Sequence, residues 1–94
     1  MMALQFEWDP NKAARNVEKH HVSFDEAATV FDDPVFITVI DEEHSADEER
    51  YITIGRSQRG RLLLVAHTDH EGRIRVISAR KATRRERKFY AEAE

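Results

Sequence analysis

The chain has 94 residues, 40% hydrophobic and 35% charged, with a net charge of −3 and no cysteine. That length holds one domain, 1–94, with one modest core. The missing cysteines exclude a disulfide framework, a thiolate metal site and a cysteine nucleophile. The first residues, MMALQFEW, lack a basic n-region and an apolar h-region, and the longest apolar run, Leu62 to Ala66, is too short to span a bilayer. A cytoplasmic protein with no membrane partner is expected.

The first helix is predicted within WDPNKAARNVEKHH. Asp9 stands as its N-cap and Pro10 at its first position, Trp8 is placed to pack over Ala13, and Ala14 and Val17 supply an apolar stripe. A short second helix follows in SFDEAATVF. Ser23 and Glu26 have capping-box spacing, Phe24, Ala27, Ala28 and Phe31 mark its buried face, and Asp33 and Pro34 end it. Four strands come next, at 35–41, 50–56, 61–68 and 73–80, the first two joined by a solvated acidic link. The turns at 57–60 and 69–72 each hold a glycine able to take positive φ, so the last three strands form an antiparallel meander. Thr83 and Glu86 open a final helix that Phe89, Tyr90 and Ala93 should anchor. The order α-α-β-β-β-β-α predicts an α+β fold in which helices cover one face of a four-stranded antiparallel sheet.

Charge is divided along the chain. Residues 1–49 hold 13 Asp and Glu against 3 Lys and Arg, a balance of −10, while residues 50–94 hold 5 against 12, a balance of +7. A basic second half points to an anionic partner, nucleic acid first. The meander should gather Arg56, Arg59, Arg61, Arg80 and Lys81 at one end of the sheet, with Arg84 and Arg85 of the last helix in reach. The acidic link from Asp41 to Glu49 belongs at the other end. His44 in that link, and His67 with His70, are the candidates for metal ligation, but neither group has a second set of ligands at a recognised spacing. Tyr90 is either a core anchor or a hydroxyl placed at an edge.

The segments FEWDPNKAARNVEKHHVSFDEAATVF, EERYITIGRS, RGRLLLVAHT and RVISARKATRRERKFY, in this order and over nearly the whole chain, resemble the BrnT toxins. These are the ribonuclease half of the BrnT and BrnA bacterial toxin-antitoxin system, relatives of the RelE-like toxins that cut messenger RNA. The resemblance implies a RelE-like domain, cleavage of RNA without a metal or other cofactor, and neutralisation by a BrnA antitoxin. That antitoxin would carry a ribbon-helix-helix portion, through which the complex would meet its operator DNA. RelE-like enzymes use basic residues on the sheet and an aromatic or basic residue near the C-terminus, and Arg80, Lys81 and Tyr90 match that habit.

Metal-free cleavage by 2′-hydroxyl attack needs a proton acceptor, a hold on the growing negative charge and a proton donor. Arg80 and Arg84 are the candidates for the charge, because a guanidinium offers two parallel donors to phosphate oxygens. For proton transfer the candidates are Lys81, Tyr90, His67 and Glu49, with Lys81 nearest the arginines and His67 toward the acidic end. Arg56, Arg59, Arg61 and Arg85 would bind the RNA backbone. The alternative is a non-catalytic domain whose arginines only track phosphates or dock an acidic antitoxin segment.

Overall fold

A computed structural model describes residues 3–93. Asp9 caps the first helix, α1 (Pro10–His20), accepting the Asn11 amide at 2.9 Å. The helix ends where His21 takes the left-handed conformation, at φ 58°, and returns its amide to the Val17 carbonyl. Ser23 then caps α2 (Phe24–Ala28), which runs into a 3-10 turn, Thr29–Asp32. The outward residues of α1 differ from the expected stripe: Ala14 and Val17 are exposed, and the buried side chain is Asn16.

Five strands form one sheet in the order β1-β5-β4-β3-β2. The expected strands are β2 (Ile37–Ile40), β3 (Arg50–Arg56), β4 (Leu62–His70) and β5 (Arg73–Lys81), paired antiparallel. The fifth, β1 (Phe6–Glu7), lies parallel to β5, so the sheet is mixed and not purely antiparallel. Two residues are too few to show an alternating pattern, and their pairing partner is more than sixty positions away. The β4-β5 hairpin closes on Glu71 and Gly72, both at positive φ, which is the backbone a two-residue turn needs between twisted strands. β4 therefore runs on to His70, two residues past its expected end, while β5 starts where expected and gains one residue, Lys81, at its far end.

The last helix, α3 (Arg84–Ala93), packs on the opposite face of the sheet from α1 and α2. Alternation along β4 makes this visible. Leu63 and Val65 join Val22, Phe24, Ala27 and Val30 in the larger core, whereas Leu62 and Leu64 face Ile54, Ala82 and Tyr90. The helices therefore cover both faces, not one. Of the three expected anchors only Tyr90 is buried, at 3% exposed, while Phe89 is 51% exposed and Ala93 lies open. Burying one such ring stabilises the docked helix by about 2 kcal/mol.

Candidate active cleft

The short β1 leaves the outer edge of β5 unpaired beyond Arg75, and a side chain takes over from the strand. Asn16 donates from Nδ2 to the Ala79 and Val22 carbonyls at 2.8 and 2.9 Å, and its Oδ1 accepts the Ala79 amide at 3.1 Å. This fixes the last residues of β5, and with them Arg80 and Lys81, against α1.

The basic end of the sheet assembles as expected, but with acidic partners among the arginines. Arg61 reaches down to Glu26 of α2, donating from Nε at 2.9 Å and forming a second short contact through Nη2, while Nη2 also meets the His21 carbonyl. Ser57 donates to the same carboxylate at 2.7 Å, and Arg59 lies 3.6 Å from it. The Arg61 hydrogen bonds outweigh burial and hold Glu26 below the usual carboxylate range. Ser23 still caps α2, but Glu26 is spent on Arg61 and does not close the expected box.

Arg80 is paired too, through two parallel bonds of 2.8 and 2.9 Å to Glu86. Glu86 also accepts the Thr83 amide, and Thr83 Oγ1 accepts the Glu86 amide, so the predicted capping box forms. Arg80, helped by Thr83, pulls the Glu86 carboxyl down to about 2 against partial burial. Among the described residues, Lys81, Arg84, Arg85, Arg87 and Lys88 have no ion-pair partner within 4 Å. The uncompensated positive charge of this end thus belongs to α3, Lys81 and Arg56, whose guanidinium meets the Gly60 carbonyl and the Tyr90 ring.

Alternation separates the two neighbours at the end of β5. Arg80 pairs across with Leu64 and faces an apolar groove, together with Arg85. Lys81 opens instead onto a cleft of about 440 Å³, lined by Arg56, Arg61, Leu62, Arg87 and Tyr90. Four of the predicted site residues, Arg56, Arg61, Lys81 and Tyr90, therefore meet in one cleft. Arg80 and Arg85 are on the other side of α3, and Arg59 and Arg84 line neither space.

Arg87 was not expected there, nor was Asp33 expected as the partner of Tyr90 behind the cleft wall. The Tyr90 hydroxyl donates to Asp33 Oδ2 at 2.5 Å, and the Arg56 amide donates to the same oxygen at 2.8 Å. The Val35 amide meets Asp33 Oδ1 at 3.0 Å. Burial works to raise the Asp33 carboxyl, but these three bonds prevail and lower it. The Arg56 guanidinium lies over the Tyr90 ring, 5.8 Å from its centroid.

Gly55 makes the approach of Asp33 possible. A Cβ there would stand 2.9 Å from Val30 Cγ1, 3.1 Å from Phe36 Cβ and 3.2 Å from Asp33 Oδ2. Only a residue without a side chain lets the link before β2 lie this close to β3. In the sequence, Asp33-Pro34 signals the end of a helix and nothing more.

The other proton-transfer candidates are remote. His67 is buried between the Phe31 and Tyr51 rings, with Nε2 2.7 Å from Thr53 Oγ1, and burial lowers its pKa to about 4. Glu49 accepts from Tyr51 at 3.0 Å. His70 binds Glu7, which Arg75 and burial influence in opposite directions, leaving Glu7 below its usual range. His44 joins Asp41 and Glu43 in the link before β3, their ligand atoms within 4.8 Å of one another. That link starts beside Arg50, six residues along β3 from Arg56, roughly 20 Å from the cleft.

Residues 8–86 match the model of a family described as the ribonuclease toxin, BrnT, of the type II toxin-antitoxin system. The chain belongs to the BrnT family. The crystal structure of the BrnT ribonuclease toxin of Brucella abortus, at 1.1 Å resolution, has the same fold, with a TM-score of 0.68 and 21% identity over 87% of this chain and 100% of that one. A search among curated proteins gives no match. As a member of the BrnT family the chain has the role of a ribonuclease toxin, which implies an antitoxin partner and an RNA target. No helix among its described residues is long and apolar enough to cross a membrane.

Proposed function

We propose that this BrnT family member is a metal-independent endoribonuclease of the cytoplasm, acting in the cleft between the sheet end and α3. The observation that carries the reading is the grouping of Lys81, Arg56 and Arg87 around a tyrosine whose hydroxyl is held by the Asp33 carboxylate. The cleft volume falls within the range of ordinary small-ligand sites, enough for a phosphodiester and part of its sugars.

In this reading Arg56 and Arg87 hold the phosphate oxygens, where positive charge counts most as the pentavalent centre forms. Tyr90 donates to Asp33, so its oxygen receives the 2′-hydroxyl proton while its own proton passes to Asp33. The 2′-oxygen bonds to phosphorus and the bond to the 5′-oxygen breaks. Lys81 gives that leaving oxygen its proton. The products are a 2′,3′-cyclic phosphate and a 5′-hydroxyl. Arg80 and Arg61, engaged by Glu86 and Glu26, position the elements that carry the cleft. Arg59 and Arg84 extend the path of the RNA backbone outside it. The neutralising partner in this reading is a BrnA-like antitoxin with a ribbon-helix-helix portion, and operator DNA is met only through it.

The test is incubation of the purified chain with end-labelled single-stranded RNA in EDTA, beside an all-deoxy control. Cyclic-phosphate ends on RNA alone are expected, with Lys81→Ala and Arg87→Ala each slower by about a hundredfold. Salt-sensitive binding without any turnover would replace the enzyme by a binding module.

A further inference from the structure

Beyond the cleft, an exposed apolar surface lies on the far side of α3. β2 is an edge strand of sequence ITVI, with Val39 46% and Ile40 51% exposed. Native edge strands are normally covered or charged, and this one is neither. Beside it the sheet face and α3 enclose a groove of about 370 Å³, floored by Ile37, Val39, Ile52 and Leu64 and walled by Phe89. Arg85 stands on its rim, one turn before Phe89 on the same side of the helix. It has no ion pair, in contrast to Arg80 nearby, which Glu86 engages.

We propose that this groove is the seat of an amphipathic helix of the antitoxin, with its apolar side on Val39 and Phe89 and an acidic residue on its flank at Arg85. The shape selects a helix. A strand added to the edge of β2 would lie beside the sheet and leave Ile52, Leu64 and Phe89 uncovered, whereas a helix alongside α3 covers all of them. The charge selects a partner other than a second copy. A symmetric contact would bring two α3 helices together, with the unpaired Arg85 of each at the contact and Arg84 and Lys88 close by. The same helix separates groove and cleft: Arg87 is two residues beyond Arg85, roughly 200° around the axis. An antitoxin seated in the groove therefore grips the wall that carries a cleft residue. The inference rests on the toxin role of the chain and is independent of the cleavage chemistry.

The experiment is titration calorimetry of the purified chain with its cognate antitoxin, using Val39→Asp, Phe89→Ser and, as a control far from the groove, Leu4→Asp. Circular dichroism melts check that each variant is folded, and because only binding is read, a chain that cuts no RNA tests the groove equally well. Val39→Asp and Phe89→Ser are each expected to weaken Kd by about thirtyfold or more, as truncated interface anchors do, and Leu4→Asp by less than about threefold. Wild-type affinity in both folded groove variants overturns the proposal. So does a steep loss of affinity with added salt that neither variant alters, which would put the antitoxin on the basic cleft. A chain that is dimeric alone by ultracentrifugation, and monomeric as Val39→Asp, would make a second copy the occupant.

Discussion

A tyrosine hydroxyl bonded to a carboxylate is a more specific arrangement than a tyrosine beside arginines, because it fixes where the phenolic proton points. Asp33 accepts that proton's bond while two backbone amides hold the carboxylate in place. Removing the hydroxyl in Tyr90→Phe should keep the ring in its core and slow RNA cleavage by about a hundredfold or more, the usual contribution of a positioned proton-transfer group. Asp33→Asn should give a similar loss, and the double variant little more than either alone, since the two act as one unit. Single-turnover rates measure this; a fully active Tyr90→Phe would reduce Tyr90 to an anchor. The sequence makes Tyr90 a candidate but hides Asp33, which is 57 positions away and resembles any helix-ending aspartate. Asn16 is hidden for the same reason. Its three hydrogen bonds replace a strand edge that no local pattern announces.

At the scale of elements, the features that depend on neighbours in sequence were legible. Asp9, Ser23 and Thr83 cap the helices they were assigned to, and β3 begins and ends at the expected residues. The features set by packing were not. A helix with a largely basic circumference does not disclose which face of a sheet it joins, and Phe89 and Tyr90 are adjacent residues with opposite fates. Apart from Glu86, α3 is charged against its own dipole: Arg84 and Arg85 stand in its first turn, near the positive end, and no basic residue stands in its last. Replacing Arg84→Glu should therefore stabilise the chain by about 0.3–1 kcal/mol in urea denaturation while weakening its hold on RNA. A variant that lost stability would show that Arg84 supports the helix in a way its exposed position does not suggest.

For the molecule as a whole, acid is the vulnerable side. His67 is buried neutral with a pKa of about 4, so between pH 6.5 and 4 the unfolded chain binds a proton that the folded chain refuses. Stability is full above 6.5 and falls as pH drops through that window, by on the order of 2 kcal/mol. Glu26, Glu86 and Asp33, all lowered on folding, extend the loss below their ordinary range. His67→Gln should flatten the urea midpoint between pH 6.5 and 4.5. An unchanged slope would assign the loss to the carboxylates.

The charge division seen along the chain is only partly a division in space, because Glu26, Asp33 and Glu86 lie among the arginines. What remains unbalanced is the cationic α3 with Lys81 and Arg56 at one end and the link of Asp41 to Glu49 at the other. Such a molecule has a front and a back. Near a polyanionic strand it experiences a torque before it makes contact, turning the cleft inward and the acidic link away, so fewer encounters are spent in orientations that cannot react.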